Sequence, residues 1–184
     1  MTVFLTVLCA LVGALCLLNI LLTVGVIRRL KEHTETIEQL RSAVPVLPGQ
    51  IMLPAGEEVA DFSAETTDGT TVSRDALEGE TLVGVFSPGC SACAEQLPLF
   101  TDLAGSYPGG RDRVLAVVVG GAEEAADEIA RLTPVARVVQ EEHGGTTAPA
   151  FGVNGFPAMA RIDATGRVLA SGYSVEALEA LTGV

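Results

Sequence analysis

The sequence predicts an α/β domain behind an N-terminal transmembrane helix, and three observations carry that reading. Val114–Val119 is an unbroken β-branched and apolar run, as a central strand buried on both faces requires. A second apolar run, Thr81–Ser87, leads through Pro88-Gly89 directly into a helical pattern that opens on Cys90 and Cys93. Val3 to Ile27 carries no charged residue, and only Thr6, Asn19 and Thr23 in it are distinctly polar.

From the N-terminus, residues 3–27 are expected to form the transmembrane helix. About 25 residues rising 1.5 Å each span a hydrocarbon core of roughly 30 Å with some tilt. A cleaved signal peptide would need a basic n-region, a short apolar core and a small-x-small cleavage site. Met1-Thr2 has no side-chain charge, and the run ends in Arg28-Arg29. Neither Cys9 nor Cys16 follows a small residue, so neither fits a lipoprotein site. These two share a helix face and read as small apolar fillers, an interchain disulfide or a palmitoyl site being the sharper alternatives. Residues 28–57 read as a juxtamembrane helix to about Arg41, with Leu30, Ile37, Leu40 and Val44 near one face. An extended linker follows, marked by Pro45, Pro48, Gly49, Pro54 and Gly56. Arg28, Arg29, Lys31 and Arg41 all follow the span, which by the positive-inside rule places the C-terminal domain in the cytoplasm.

The domain is expected over 58–184. Asp61–Thr67 and Thr70–Ser73 flank Asp68-Gly69, a hairpin signal. The strand Thr81–Ser87 is followed by a helix from Ala92 to about Ser106, with Leu97, Phe100, Leu103 and Ala104 on one face and Pro98 as a kink. After Val114–Val119, Glu123–Leu132 reads as a helix with acidic residues in its first turn, where the macrodipole favours them. Arg137–Gln140 is a short strand, and Glu142–Thr147 a polar loop. Ala158–Asp163 and Arg167–Ser171 flank Ala164-Thr165-Gly166 as a second hairpin. Val175–Leu181 closes the chain as a helix with Ser174 as its N-cap. A central β-α-β unit followed by a hairpin and a last helix is an α/β sandwich pattern.

Composition narrows the function. The chain has 184 residues, a formal net charge of -12, and 23 acidic against 11 basic residues. Every acidic residue lies beyond residue 30, so the soluble part would repel nucleic-acid phosphates, and no nucleic-acid partner is expected. Four cysteines are too few to staple a domain of this size, so they are not a disulfide scaffold.

The chemistry concentrates at Cys90-Ser91-Ala92-Cys93. A thiol at a helix N-terminus meets unpaired backbone N–H groups and the positive end of the macrodipole, and both stabilise the reactive thiolate. Cys90 is the expected nucleophile. Cys93, one turn on, is placed to attack and resolve a mixed disulfide. Ser91 and Ala92 would tune the potential. Zinc needs about four ligands. The other cysteines lie in the span, and His33 and His143 are far away in sequence, so no metal site is expected.

Phe86-Ser87-Pro88-Gly89-Cys90-Ser91-Ala92-Cys93, then Leu97-Pro98, then Gly155-Phe156-Pro157 before a strand–hairpin–helix ending, resembles the thioredoxin superfamily over about residues 55–184. The chain looks most like the membrane-anchored TlpA/ResA-like thiol–disulfide oxidoreductases and the related MauD-type proteins. The resemblance implies a thioredoxin-like fold, with a central mixed sheet flanked by helices, and a redox-active Cys90–Cys93 disulfide that needs no bound cofactor. It implies a cis Pro157 against the active-site pair, and a Phe156 backbone that docks a substrate strand. The implied partners are a protein thiol or disulfide substrate and an upstream electron donor, with reductase the favoured direction. It also implies an extracytoplasmic domain, against the charge rule. The chain departs from the pattern in having Gly89 where an aromatic residue is usual, Ala92 for the usual Pro, and Gln96 where many members carry Glu. Glu95 is one place off, and Gln96 cannot shuttle protons. Two other readings stand beside this one. A thiol peroxidase is suggested by Ser87 three residues before Cys90, although Val83 occupies the position where that branch has Pro. A non-enzymatic redox or metal-delivery module for a membrane complex is the other, although metal delivery normally uses CxxxC spacing.

Overall fold

The structure is a computed structural model that describes residues 50–180, together with Phe4, Gly13 and Leu15. The transmembrane helix expected at 3–27 therefore lies outside the described residues, apart from those three helical positions, as do the juxtamembrane helix and most of the linker. Among the described residues no helix is long and apolar enough to cross a membrane.

Seven strands are described: β1 (Ser63–Glu65), β2 (Thr71–Ser73), β3 (Thr81–Phe86), β4 (Val114–Val119), β5 (Arg137–Glu141), β6 (Ala158–Ile162) and β7 (Val168–Gly172). Between and after them run α1 (Ser91–Gly105), α2 (Ala126–Leu132), α3 (Thr147–Ala150) and α4 (Val175–Ala180). Strands β1 and β2 form the small antiparallel hairpin, with Gly69 at φ 80 supplying the left-handed turn residue. The main sheet is mixed, in the order β5-β4-β3-β6-β7. Strands β3, β4 and β5 are parallel, while β6 runs antiparallel to both β3 and β7.

Strand periodicity divides the core into two layers. Val83, Val85, Leu115, Val117 and Val139 point to one face, where Phe62, Val72 and Phe151 cover them. Leu82, Phe86, Ala116, Val118 and Val138 point to the other, under Leu97 and Phe100 of α1, Leu132 of α2 and Leu178 of α4. Each fully buried side chain of this size contributes about 1.5–3 kcal/mol of hydrophobic stabilisation. Gly84 makes the close approach of α1 possible. A Cβ there would lie 2.6 Å from Cε2 and Cζ of Phe100, so the ring occupies the space a side chain would fill.

Three boundaries differ from expectation. The packed body begins before residue 58: Met52 is buried, the Leu53 N–H donates to Phe151 O at 3.1 Å, and the Asn154 N–H donates to Ile51 O at 2.7 Å. The helix expected from Glu123 starts as a helix only at Ala126, residues 122–125 forming a turn. The loop expected over Glu142–Thr147 ends in the short helix α3, whose first N–H groups, of Thr147 and Ala148, donate to the Glu141 carboxylate at 2.9 and 2.8 Å.

Candidate active site

The site is built where β3 ends. The Cys90 N–H donates to Ser87 O at 3.4 Å across Pro88-Gly89, and Gly89 sits at φ 73. Proline then glycine at the two central positions suits a turn that needs a left-handed third residue. The Pro88 ring lies against Gly120 at the end of β4, where a Cβ would come within 2.8 Å of Pro88 Cδ. The turn delivers Cys90 to the N-cap of α1 with φ -82 and ψ 113. Its Sγ accepts the Cys93 backbone N–H at 3.2 Å, satisfying one of the donors a helix start leaves free. On the other side the Cys90 thiol faces Phe156 O at 3.7 Å. The Phe156–Pro157 peptide bond is cis, in agreement with the resemblance. Residues 66 apart in sequence thus meet at one sulfur.

The two thiols occupy different environments. Cys90 is half-buried, whereas Cys93 is 3% exposed within the apolar layer beneath α1. Burial first, then the hydrogen bond with Cys90, pushes the Cys93 thiol up to about 12, the Ser87 backbone amide acting the other way. The folded state therefore holds this proton more tightly than the unfolded chain, whose thiol has the ordinary value of 9.0. The resulting stabilisation is complete below about pH 9 and is lost as pH rises through about 12. In the reduced chain, a brief iodoacetamide pulse followed by peptide mapping is expected to label Cys93 slowly near neutral pH. Labelling should then rise about tenfold per pH unit until the pH nears the thiol's own value. Labelling of Cys93 that is already level at about pH 8 would contradict this environment.

The other sequence-designated residues divide. Ser91, Ala92 and Glu95 are exposed on α1. Gln96 turns to the last helix, its Oε1 accepting the Val175 N–H at 3.1 Å, so it ties α1 to the start of α4. Ser174, read as the N-cap of that helix, accepts the Ala177 N–H at 3.3 Å. Pro157 is buried and Phe156 half-buried, its side chain packing against both core layers. Ser87 Oγ donates to Val119 O at 2.9 Å, a buried bond that ties the end of β3 to the end of β4. His143 is exposed in the loop after β5, and among the described residues no group of three or more His, Cys, Asp or Glu is placed to hold a metal. Sequence reasoning did not foresee the Ser87 bond to Val119, which joins positions 32 residues apart and has no local signal.

A family model described as Redoxin matches residues 54–181. No curated protein matches the sequence. Among solved structures the chain is similar to the thioredoxin domain of a thiol-disulfide oxidoreductase from Bacteroides vulgatus, at 20% identity and a TM-score of 0.56, covering 71% of this chain and 96% of that one. It is similar to a candidate thiol:disulfide interchange protein DsbE from Chlorobium tepidum, at 24% identity and a TM-score of 0.57, covering 71% and 94%. It is also similar to the exposed lipoprotein thioredoxin of Streptococcus pneumoniae strain TIGR4, at 24% identity and a TM-score of 0.51, covering 68% and 100%. These likenesses establish a thioredoxin-like α/β fold with a mixed central sheet.

Proposed function

The chain belongs to the redoxin family, and from that premise we propose that it is a membrane-anchored thiol–disulfide oxidoreductase working as a reductase through Cys90 and Cys93. The observation that carries the reading is the position of Cys90 Sγ at the N-cap of α1, accepting the Cys93 N–H and facing Phe156 O beside Pro157. The Cys90 thiolate attacks one sulfur of a substrate disulfide, and the other sulfur leaves as a thiolate. Cys93 then displaces the second substrate thiol from the mixed disulfide, closing the Cys90–Cys93 bond. An upstream dithiol donor returns the pair to its reduced form, so electrons pass through the cysteines. The Phe156 backbone, freed of the thiol proton, offers its carbonyl to a docked substrate strand. Residues 3–27 anchor the chain by the spanning-length argument. The peroxidase reading draws less support, because the Ser87 hydroxyl is engaged with Val119 O rather than turned to the Cys90 sulfur.

The test is the reduction potential of the full chain in detergent, equilibrated in thiol–disulfide buffers. A reversible two-electron couple near about -270 mV is expected for a reductase. A value near about -120 mV would reverse the direction to disulfide formation. The absence of any couple linking Cys90 and Cys93 would overturn the exchange reading altogether.

A further inference from the structure

We propose that residues 51–53 are a positioning strap for the exchange site: they hold the loop that offers the Phe156 carbonyl to a docked substrate, and Leu53 is the side chain that seats it. The proposal rests on the exchange reading above and adds what fixes its docking surface. The loop runs from Phe151, at the end of α3, to Pro157, just before β6. Two of its residues, Gly152 and Gly155, lack the side chains that would restrict their backbone. Its own bonds are short-range, the N–H groups of Gly152 and Val153 donating to Pro149 O at 2.9 Å and to Ala148 O at 3.2 Å. Among the described residues, the backbone–backbone bonds that tie this loop to a distant segment both go to the strap. The Leu53 N–H donates to Phe151 O at 3.1 Å, and the Asn154 N–H donates to Ile51 O at 2.7 Å. The second of these lies just upstream of Phe156, whose O faces the Cys90 thiol.

Side chains fasten the same contact. Met52 is 2% exposed and belongs to the core layer that holds Phe151, which fixes the strap to the body of the domain. Ile51 and Leu53, on either side of it, pack against that layer together with Val153 and Phe156 of the loop. Leu53 lies directly on Gly152: a Cβ there would come 2.9 Å from Leu53 Cγ and 3.1 Å from its Cδ2. The thiol end of the site is held independently. Cys90 is placed by the Pro88-Gly89 turn and the start of α1, with the Cys93 N–H on its sulfur. Docking and attack therefore depend on different segments. A carbonyl held in place before substrate arrives spares the ordering cost that a free, glycine-containing loop would subtract from binding. A disulfide that docks no strand draws nothing from the strap, since it needs only the Cys90 sulfur.

The experiment uses the full chain in detergent with Cys9→Ala and Cys16→Ala. Reduced protein is mixed with a peptide bridged by one disulfide. Formation of the Cys90–Cys93 bond is followed by acid quench and mass spectrometry as the peptide concentration is raised. Attack on dithiobis(nitrobenzoate), which has no backbone to dock, is followed by colour. Leu53→Gly is expected to raise the half-saturating peptide concentration about tenfold and to leave the limiting rate unchanged, the signature of lost docking. The rate with dithiobis(nitrobenzoate) should stay within about twofold of the parent's. Leu53→Met, which refills the space over Gly152, should return the half-saturating concentration toward the parent's. An unchanged half-saturating concentration in Leu53→Gly overturns the proposal. So does a proportionate loss with both disulfides, which would mean that the strap merely supports the fold. A lower limiting rate alone overturns it too, because the strap would then act on the chemistry. A parent that reacts with dithiobis(nitrobenzoate) yet shows no saturation with the peptide has no docking loop to position, which refutes the proposal as well. Leu53→Ala gives the same reading should the glycine chain show no thermal unfolding transition. If the parent forms no Cys90–Cys93 bond with either disulfide, it is the exchange reading that fails.

Discussion

Cys90→Ser is expected to abolish disulfide exchange by the full chain, lowering kcat/KM on a protein disulfide by about 10⁴-fold or more, because a hydroxyl cannot form the mixed disulfide. Cys93→Ser should behave differently. Its Cys90 still attacks, so one equivalent of substrate thiol is released, but the mixed disulfide then persists. Non-reducing mass spectrometry should show a covalent adduct at Cys90 that dithiothreitol removes. The asymmetry follows from the geometry. Cys90 is half-buried at the helix start, where a substrate can reach it, while Cys93 is enclosed beneath α1. Equal residual turnover in the two variants, or an adduct on Cys93 in place of Cys90, would sink the assigned roles.

The largest stability effect is expected at Phe100. Its ring is fully buried, meets Phe86 edge-on at 5.2 Å and 70°, and fills the space over Gly84. Phe100→Ala should cost about 3–5 kcal/mol, because it loses the apolar transfer energy and leaves a cavity that the flat β3 surface cannot close. That is a large share of a typical domain's stability of about 5–15 kcal/mol. The loss should reach the site as well, since the same helix carries both cysteines. Leu99→Ala, one residue earlier on the solvent side, should change stability by less than about 0.5 kcal/mol. Thermal unfolding of both variants, followed by circular dichroism, makes the comparison. Similar midpoints for the two would refute the packing argument.

How far the sequence could be read depended on the range of the interactions involved. The run Val114–Val119 was legible as a buried strand because both faces of β4 are covered, so every position selects an apolar residue. The hairpin at Asp68-Gly69 was legible because its turn chemistry is local, and so was the turn that delivers Cys90, where Pro88 and Gly89 hold the needed backbone angles themselves. The short helix α3 was not legible. Thr147-Ala148-Pro149-Ala150 is too short to announce itself by periodicity, and the Glu141 carboxylate that caps it comes from the preceding strand. The same holds for the start of the packed body, because nothing local to Met52 says that its side chain is buried.

Gln96 shows the limit most plainly. From sequence it stands three residues after Cys93, where it reads as a possible modulator of the thiols, yet its amide oxygen holds the Val175 N–H, 79 residues away. What the sequence by itself determined was the α/β class, the strand–turn–helix that places a thiol at a helix N-terminus, and the cysteine spacing, all set by periodicity and turn chemistry over a few residues. The tertiary structure alone decided that Phe156 O meets Cys90, that Gln96 joins two helices, and that Ser87 is tied to the end of β4. Each of those is a contact between segments far apart in the chain. Such a contact exists only after the β-sheet has brought the segments together, and no local preference encodes it.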